Sequence, residues 1–119
     1  MPELTVLMTA YNSEGTIRSS IRSILRQTLT DFELLVVDDG SRDGTAGVVS
    51  GIGDRRVRLV RIPENLGICG AINAGLAEAR APLIARMDSD DWSLPGRLEA
   101  QWRFLRENPG VDVVGTAAI

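Results

Sequence analysis

Apolar and polar positions alternate along this chain with two periods, and the places where one period gives way to the other predict its elements. Short runs of strand length are separated by helix-length segments whose apolar residues recur every three or four positions. The first run is Thr5 to Thr9. Thr16 to Gln27 then predicts a helix with Ile17, Ile21, Ile24 and Leu25 as its buried stripe and Arg18, Arg22 and Arg26 on a solvated face. Phe32 to Val37 is nearly continuous in apolar residues, as expected of a central strand covered on both sides. A short helix over Thr45 to Ser50 follows, then a strand from Arg55 to Ile62 with Arg58 and Arg61 exposed, closed by Pro63. Ile68 to Ala79 predicts a helix with Ile68, Ile72 and Leu76 on one face, while Gly70, Ala71, Ala74 and Gly75 keep its other surfaces thin. Interior helix glycines cost roughly 0.5–1 kcal/mol each relative to alanine, so two of them imply that something approaches closely, the sheet or another partner. Leu83 to Met87 reads as a fourth strand, Pro95 to Glu107 as a helix with Leu98, Trp102 and Leu105 inward, and Val111 to Val114 as a fifth strand. Strands alternating with helices in this way predict an α/β fold with a mostly parallel sheet. No repeat, linker or low-complexity tract interrupts it.

Composition narrows the chemistry. The 119 residues are 44% hydrophobic and 24% charged, which fits one globular domain. All 13 basic residues are arginine, and histidine is absent. Lysine Schiff bases, a phosphate-loop lysine, histidine bases, Ser-His-Asp triads and histidine metal sites are therefore excluded for this chain. A net charge of −3 with scattered arginines argues against a nucleic-acid partner. The single cysteine, Cys69, cannot form an intramolecular disulfide and is expected to be a small buried residue in a reducing compartment. The start, Met1-Pro2-Glu3-Leu4, lacks the basic opening of a signal peptide, and no window approaches the ~18–20 apolar residues of a spanning helix, so the expected location is cytoplasmic.

In an open parallel sheet, ligands bind beyond the carboxyl ends of the strands, so the residues that follow each apolar run are the ones to inspect. Strand one exits into Thr9-Ala10-Tyr11-Asn12, strand two into Asp38-Asp39-Gly40-Ser41, and strand four into Asp88-Ser89-Asp90-Asp91. Two of these ends place five carboxylates on one rim, where like charges repel unless a cation or hydrogen-bond donors are present. Asp88, Asp90 and Asp91 read as a site for a divalent metal and a nucleotide sugar, because a hard cation seeks carboxylate and phosphate oxygens. The plainer reading is a solvated turn with Asp91 or Ser93 capping the next helix. Asp38 and Asp39 admit two readings as well: an ordinary Asp-Gly turn, or a carboxylate that accepts hydrogen bonds from a nucleobase while its neighbour is held by backbone. Tyr11 is placed either to stack in a pocket or to pack, and the core or surface is the simpler setting for both Trp92 and Trp102.

These residues together carry a family resemblance. VLMTAYNSEGTIRSSIRSILRQTLTDFELLVVDDGSRDGT, ENLGICGAINAGLAEARAPLIARMDSDDWSLPGRLEAQ and NPGVDVVGT, in that order, resemble the N-terminal half of a family 2 glycosyltransferase over almost the whole chain. The resemblance implies a GT-A fold, which is Rossmann-like with helices on both faces of the sheet, here cut short at the C-terminus. It implies a nucleotide-diphosphate sugar donor, most commonly a UDP-sugar, and inverting transfer to a hydroxyl of a carbohydrate or lipid-linked acceptor, assisted by Mg²⁺ or Mn²⁺. By the same resemblance Thr9, Ala10 and Tyr11 lie against the nucleoside, with Glu14 the acid that commonly follows, and Asp39 reads the base with Asp38 beside it. Asn65-Leu66-Gly67 and the small-residue helix pass next to the donor. Asp88 falls near the ribose, Asp90 on the metal and Asp91 in support. Arg86 and Arg97 are implied to pair with the acidic rim or the diphosphate, and Trp92 to face the sugar.

The resemblance also places a catalytic Asp or Glu base in a later, acceptor-side segment, C-terminal of Ile119, so that no catalytic residue is expected within this chain. The expectation is then that residues 1–119 form the nucleotide-sugar-binding portion, that the acceptor-binding portion is absent, and that this portion alone is inactive. The family's polysaccharide, glycolipid and cell-envelope pathways are compatible with a location at the inner face of the membrane. A sugar-nucleotide nucleotidyltransferase is the enzymatic alternative, disfavoured by the acidic, glycine-poor Asn12-Ser13-Glu14-Gly15 after strand one. A non-catalytic nucleotide-binding fragment is the other. Oligomeric state is left open.

Overall fold

The computed structural model describes residues 2–115. Ile119, the position beyond which the base is expected, lies outside the described residues. The elements follow in the order β1 (Leu4–Ala10), α1 (Ile17–Leu25), β2 (Phe32–Asp39), α2 (Thr45–Ser50), β3 (Val57–Ile62), α3 (Gly67–Glu78), β4 (Leu83–Asp88) and α4 (Arg97–Glu107). The strands form one parallel sheet in the order β3-β2-β1-β4. β1 and β2 are buried along their whole length, which explains their continuous apolar runs.

The two-residue period of the strands sorts side chains between two cores. Leu4, Val6, Met8 and Ala10 of β1 and Phe32, Leu34 and Val36 of β2 pack with Ile17, Ile21 and Ile24 of α1, Val49 of α2 and Leu98 of α4. Leu7, Leu35 and Val37 face the other way and pack with Ala71 of α3. The α1 stripe behaves as its periodicity predicts: Ile17, Ile21 and Ile24 are fully buried, each contributing roughly 1.5–3 kcal/mol.

Helix α3 is turned differently from the expectation. Ile68 and Leu76 are exposed, Ile72 is half-buried, and Ala71 and Gly75 lie against the sheet. A Cβ at Gly75 would run into Leu7 Cδ1 and Val37 Cγ2, so the close approach that the glycines imply is that of the sheet. The same rotation leaves Cys69 exposed rather than buried. At Gly70 a Cβ would first meet the Leu66 side chain.

Three further expectations are corrected. Val111 to Val114 is not a strand: the segment pairs with no neighbour among the described residues, and Val113 is 86% exposed. Extended backbone counts as strand only where a ladder satisfies it, and among the described residues the flank of β4 beyond β1 has no partner strand. Arg58 is half-buried rather than exposed, because Glu33 of β2 and Glu78 of α3 both reach it, at 3.2 and 3.3 Å. Trp102 and Leu105 are half-buried rather than core, with the Arg106 guanidinium 4.7 Å above the Trp102 ring.

Candidate functional site

Strand order reverses between β1 and β4, since the chain leaves β3 at one edge and returns through α3 beyond β1. A doubly wound sheet opens its ligand crevice at such a point. The carboxyl ends of β2, β1 and β4 stand side by side there, and each carries one part of the candidate site.

The first part is a pocket of about 250 Å³ lined by Thr9, Ala10, Tyr11, Asp39, Asn65, Gly67, Ile68 and Ala71. The paired aspartates separate because strand neighbours point to opposite faces. Asp39 faces α3 and lines the pocket, where its Oδ1 accepts the Leu66 N–H at 2.8 Å and its carbonyl accepts the Asn65 amide at 3.3 Å. Asp38 faces α1 and α2, fully buried. Its Oδ1 accepts the Ser41 N–H at 3.0 Å, and its Oδ2 lies 3.5 Å from Arg61 Nε on the adjacent strand. That Oδ2 has no hydrogen-bond partner among the described residues. Gly40, at φ +74°, makes the turn that follows them, where a Cβ would collide with the backbone of Glu64 and Asn65.

Glu14 does not join the pocket. Its carboxylate accepts the Gly44 N–H at 2.9 Å, and its own N–H donates to Asp43 at 3.3 Å, so it braces the loop after β1 against the start of α2. The Asp43 carboxyl is held below its ordinary value chiefly by the hydrogen bond from the Thr45 hydroxyl.

The second part is the loop after β4. Asp88, Asp90 and Asp91 are all exposed, and one carboxylate oxygen from each lies within 4.8 Å of the others. Arg86 joins them: one guanidinium nitrogen donates to Asp88 Oδ1 at 3.2 Å and another to the Leu7 carbonyl at 3.1 Å. Arg97 is half-buried and donates to Ser93 Oγ and to the Arg86 carbonyl. Burial pushes its guanidinium below the usual value, against the opposing charge of Asp91. Trp92, 63% exposed, stands beside the acids. Three hard, negatively charged oxygens this close suit a divalent cation that completes its shell with phosphate and water.

Thr9 joins the parts, being the cross-strand neighbour of Asp88 on β4 and lying in the pocket with Asp39. From β2 to β4 across β1 is two strand spacings, about 10 Å. A larger cavity of about 590 Å³ lies on the flank of β4 against α4, lined among others by Ile84, Arg86, Trp92, Trp102 and Leu105. It takes in Asp91 but neither Asp88 nor Asp90, and it follows the unpaired sheet edge rather than the strand ends.

Composition and motif gave no warning of the residues that hold the second part from behind. Ser20 and Ser23 of α1 and Gln27 just after it are buried, and all three bond to the segment 89–98. The available signal was small or amide side chains at spacings of three and four, between an isoleucine stripe and an arginine face.

A doubly wound α/β domain with a pocket and a carboxylate cluster at its strand ends is the general class. The chain belongs to a particular family within it, glycosyl transferase family 2, whose profile matches residues 5–119. It is 46% identical over 98 residues to a succinoglycan biosynthesis protein, ExoO, of Rhizobium meliloti, an alignment covering 82% of this chain and 28% of that one. S. aureus TarS, solved as residues 1–349 in complex with UDP-GlcNAc, superposes with a TM-score of 0.84 at 27% identity, over 92% of this chain and 32% of that one. The mannosyltransferase PcManGT from Pyrobaculum calidifontis, solved with GDP-Man and Mn²⁺, superposes with a TM-score of 0.71 at 29% identity, over 76% of this chain and 28% of that one. The chain spans less than half the length of the relatives it matches. The GT-A fold is therefore established, and the nucleotidyltransferase alternative is set aside.

Proposed function

We propose that this chain is the donor-binding portion of an inverting glycosyltransferase that uses a UDP-sugar in polysaccharide, glycolipid or cell-envelope synthesis. The observation that carries the proposal is the arrangement at the strand ends, with Asp39 in a pocket and a carboxylate cluster two strands away. A nucleotide laid across the end of β1 would meet the first with its base and the second with its diphosphate. Asp39 is an acceptor on its free oxygen, so it favours a base that presents an N–H, as uracil does at N3, over adenine, which presents an unprotonated ring nitrogen there. Thr9, Ala10 and Tyr11 line the nucleoside, and Asp88 accepts from the ribose.

Asp90, with Asp88 and Asp91 beside it, would hold Mg²⁺ or Mn²⁺, and that ion, when bound, offsets the charge the nucleotide diphosphate gains as it leaves. In the transfer the bond from the anomeric carbon to the diphosphate oxygen breaks with its electron pair going to the diphosphate. The acceptor oxygen bonds to the opposite face of that carbon and gives up its proton to a carboxylate base. In keeping with the family resemblance, we assign that base to an acceptor-side portion C-terminal of Ile119. The reaction then belongs on the cytoplasmic side of the membrane, where nucleotide sugars are made.

Calorimetric titration of UDP, dTDP, GDP and ADP, each with and without Mn²⁺, tests this reading. UDP should bind most tightly and ADP most weakly, with dTDP set back by its missing 2′-hydroxyl. Mn²⁺ should tighten UDP binding in the wild-type chain and have no effect in Asp90→Ala. Equal affinity for all four nucleotides, or an unaltered Mn²⁺ effect in Asp90→Ala, would overturn the assignment.

A further inference from the structure

The three acids after β4 are exposed and mutually repulsive, yet their loop is fastened from behind along its length. Residue by residue, segment 88–98 alternates between outward carboxylates and inward anchors: Asp88, Asp90, Asp91 and Trp92 are exposed, whereas Ser89, Ser93 and Leu98 are buried. The anchors meet one seam along α1 and the residue pair after it. Ser20 Oγ donates to the Ser89 carbonyl at 2.8 Å, and Ser23 Oγ accepts the Ser93 N–H at 3.1 Å. Gln27 uses both ends of its amide, donating to the Leu94 carbonyl at 2.7 Å and accepting the Leu98 N–H at 3.0 Å. The second bond satisfies a backbone donor in the first turn of α4, a helix with no side-chain cap of its own. Ser89 Oγ makes a further hydrogen bond to Ser13 Oγ, at 2.7 Å, in the loop that follows β1.

Ser20, Ser23 and Gln27 are 2–3% exposed; apart from bonds within their own segment, from Ser23 Oγ to the Ser20 carbonyl and from Gln27 Nε2 to the Ser23 carbonyl, their polar groups go to this one loop. A helix needing only to bury a face would carry alanine or leucine there, since buried polar groups stabilise little beyond their own desolvation. What the seam supplies is a fixed backbone path for residues whose carboxylates would otherwise spread apart. We infer that Ser20, Ser23 and Gln27 are positioning residues for the acidic loop, setting Asp90 and Asp91 in place beside Asp88, which the β1–β4 ladder already holds, before a divalent cation and the donor diphosphate arrive. The inference rests on the donor-site reading above and extends it to three residues that touch neither ligand. Outer partners of this kind characteristically govern metal affinity by about 10–100-fold.

The test is Mn²⁺ binding followed by electron paramagnetic resonance in the presence of UDP, well below the melting transition, for the wild-type chain, Ser20→Ala, Ser23→Ala and Gln27→Met, with uridine affinity measured in parallel. The seam variants should bind Mn²⁺ about 10-fold or more weakly while uridine affinity stays at the wild-type value. Ser20→Ala removes one hydroxyl and puts a strong helix former in its place, so it keeps the test sound if Gln27→Met fails to fold. Wild-type Mn²⁺ affinity in folded variants would overturn the inference, leaving the seam a packing feature only. An equal loss of uridine affinity would overturn it too, by showing general loosening. If the wild-type chain takes up no Mn²⁺ beyond what UDP binds alone, the donor-site reading itself falls, and this inference with it.

Discussion

The two parts of the site are held in opposite ways. The pocket beside Asp39 is made by the interior of the fold: its acid is buried, tied to the Leu66 N–H, and roofed by a helix pressed onto the sheet through Ala71 and Gly75. The acidic loop lies outside the sheet, with its carboxylates in solvent and its backbone held by side chains of α1 and of Gln27 just after it. Rigid shape suits recognition of a flat base. A cluster of like charges instead needs a fixed backbone with mobile solvent in front, so that an arriving cation replaces water.

This contrast can be broken from either side. Gly75→Val puts two methyl groups where Leu7 and Val37 already sit, so α3 must lift. Overpacking of that kind costs about 1–3 kcal/mol. Thermal unfolding should register it, and uridine binding should weaken, while Mn²⁺ uptake at the acidic loop in the folded protein stays close to wild type. Loss of both affinities together in a folded variant would mean that the halves are not separately held.

A smaller effect is expected from Glu33→Gln, at the opposite end of the sheet. Burial alone would raise the Glu33 carboxyl, but hydrogen bonds from Thr5 Oγ1 and the Arg80 N–H, with the Arg58 charge, outweigh it and lower the value below 4.5. A lowered carboxylate stabilises the fold above the unfolded value and loses that contribution as pH falls through the folded one. Glu33→Gln should therefore lower the melting temperature near neutral pH, by an amount equivalent to roughly 1 kcal/mol. The gap from wild type should narrow on acidification below 4.5. Uridine and Mn²⁺ affinities should not move, and a variant that altered either would tie this clamp to the site.

How much was legible in the sequence follows from which interactions are local. Strand positions and the placement of Asp39 and Asp88 at strand ends come from apolar runs whose periodicity is their own signal. The separation of Asp38 from Asp39 to opposite faces was not legible, because the apolar run ends at Val37 and it is the ladder to β3 that carries the strand through Asp39. Helix α3 misled because Ile68 and Leu76 look like a core stripe, while the residues that reach the sheet are chosen for smallness. Val111 to Val114 has strand composition, but a strand requires a partner that composition cannot supply. The seam of Ser20, Ser23 and Gln27 was illegible because polar residues on a helix ordinarily face water, and their partners lie about 70 positions away.

The most direct test of two separately held halves serving one donor is a comparison of uridine with UDP by calorimetry, with and without Mn²⁺, in the wild-type chain, Asp39→Ala and Asp90→Ala. Uridine should bind the wild-type chain and Asp90→Ala alike, without regard to Mn²⁺, and should be lost in Asp39→Ala. UDP should gain from Mn²⁺ only where Asp90 is present. Uridine binding that survives Asp39→Ala, or that responds to Mn²⁺ as UDP does, would contradict the account.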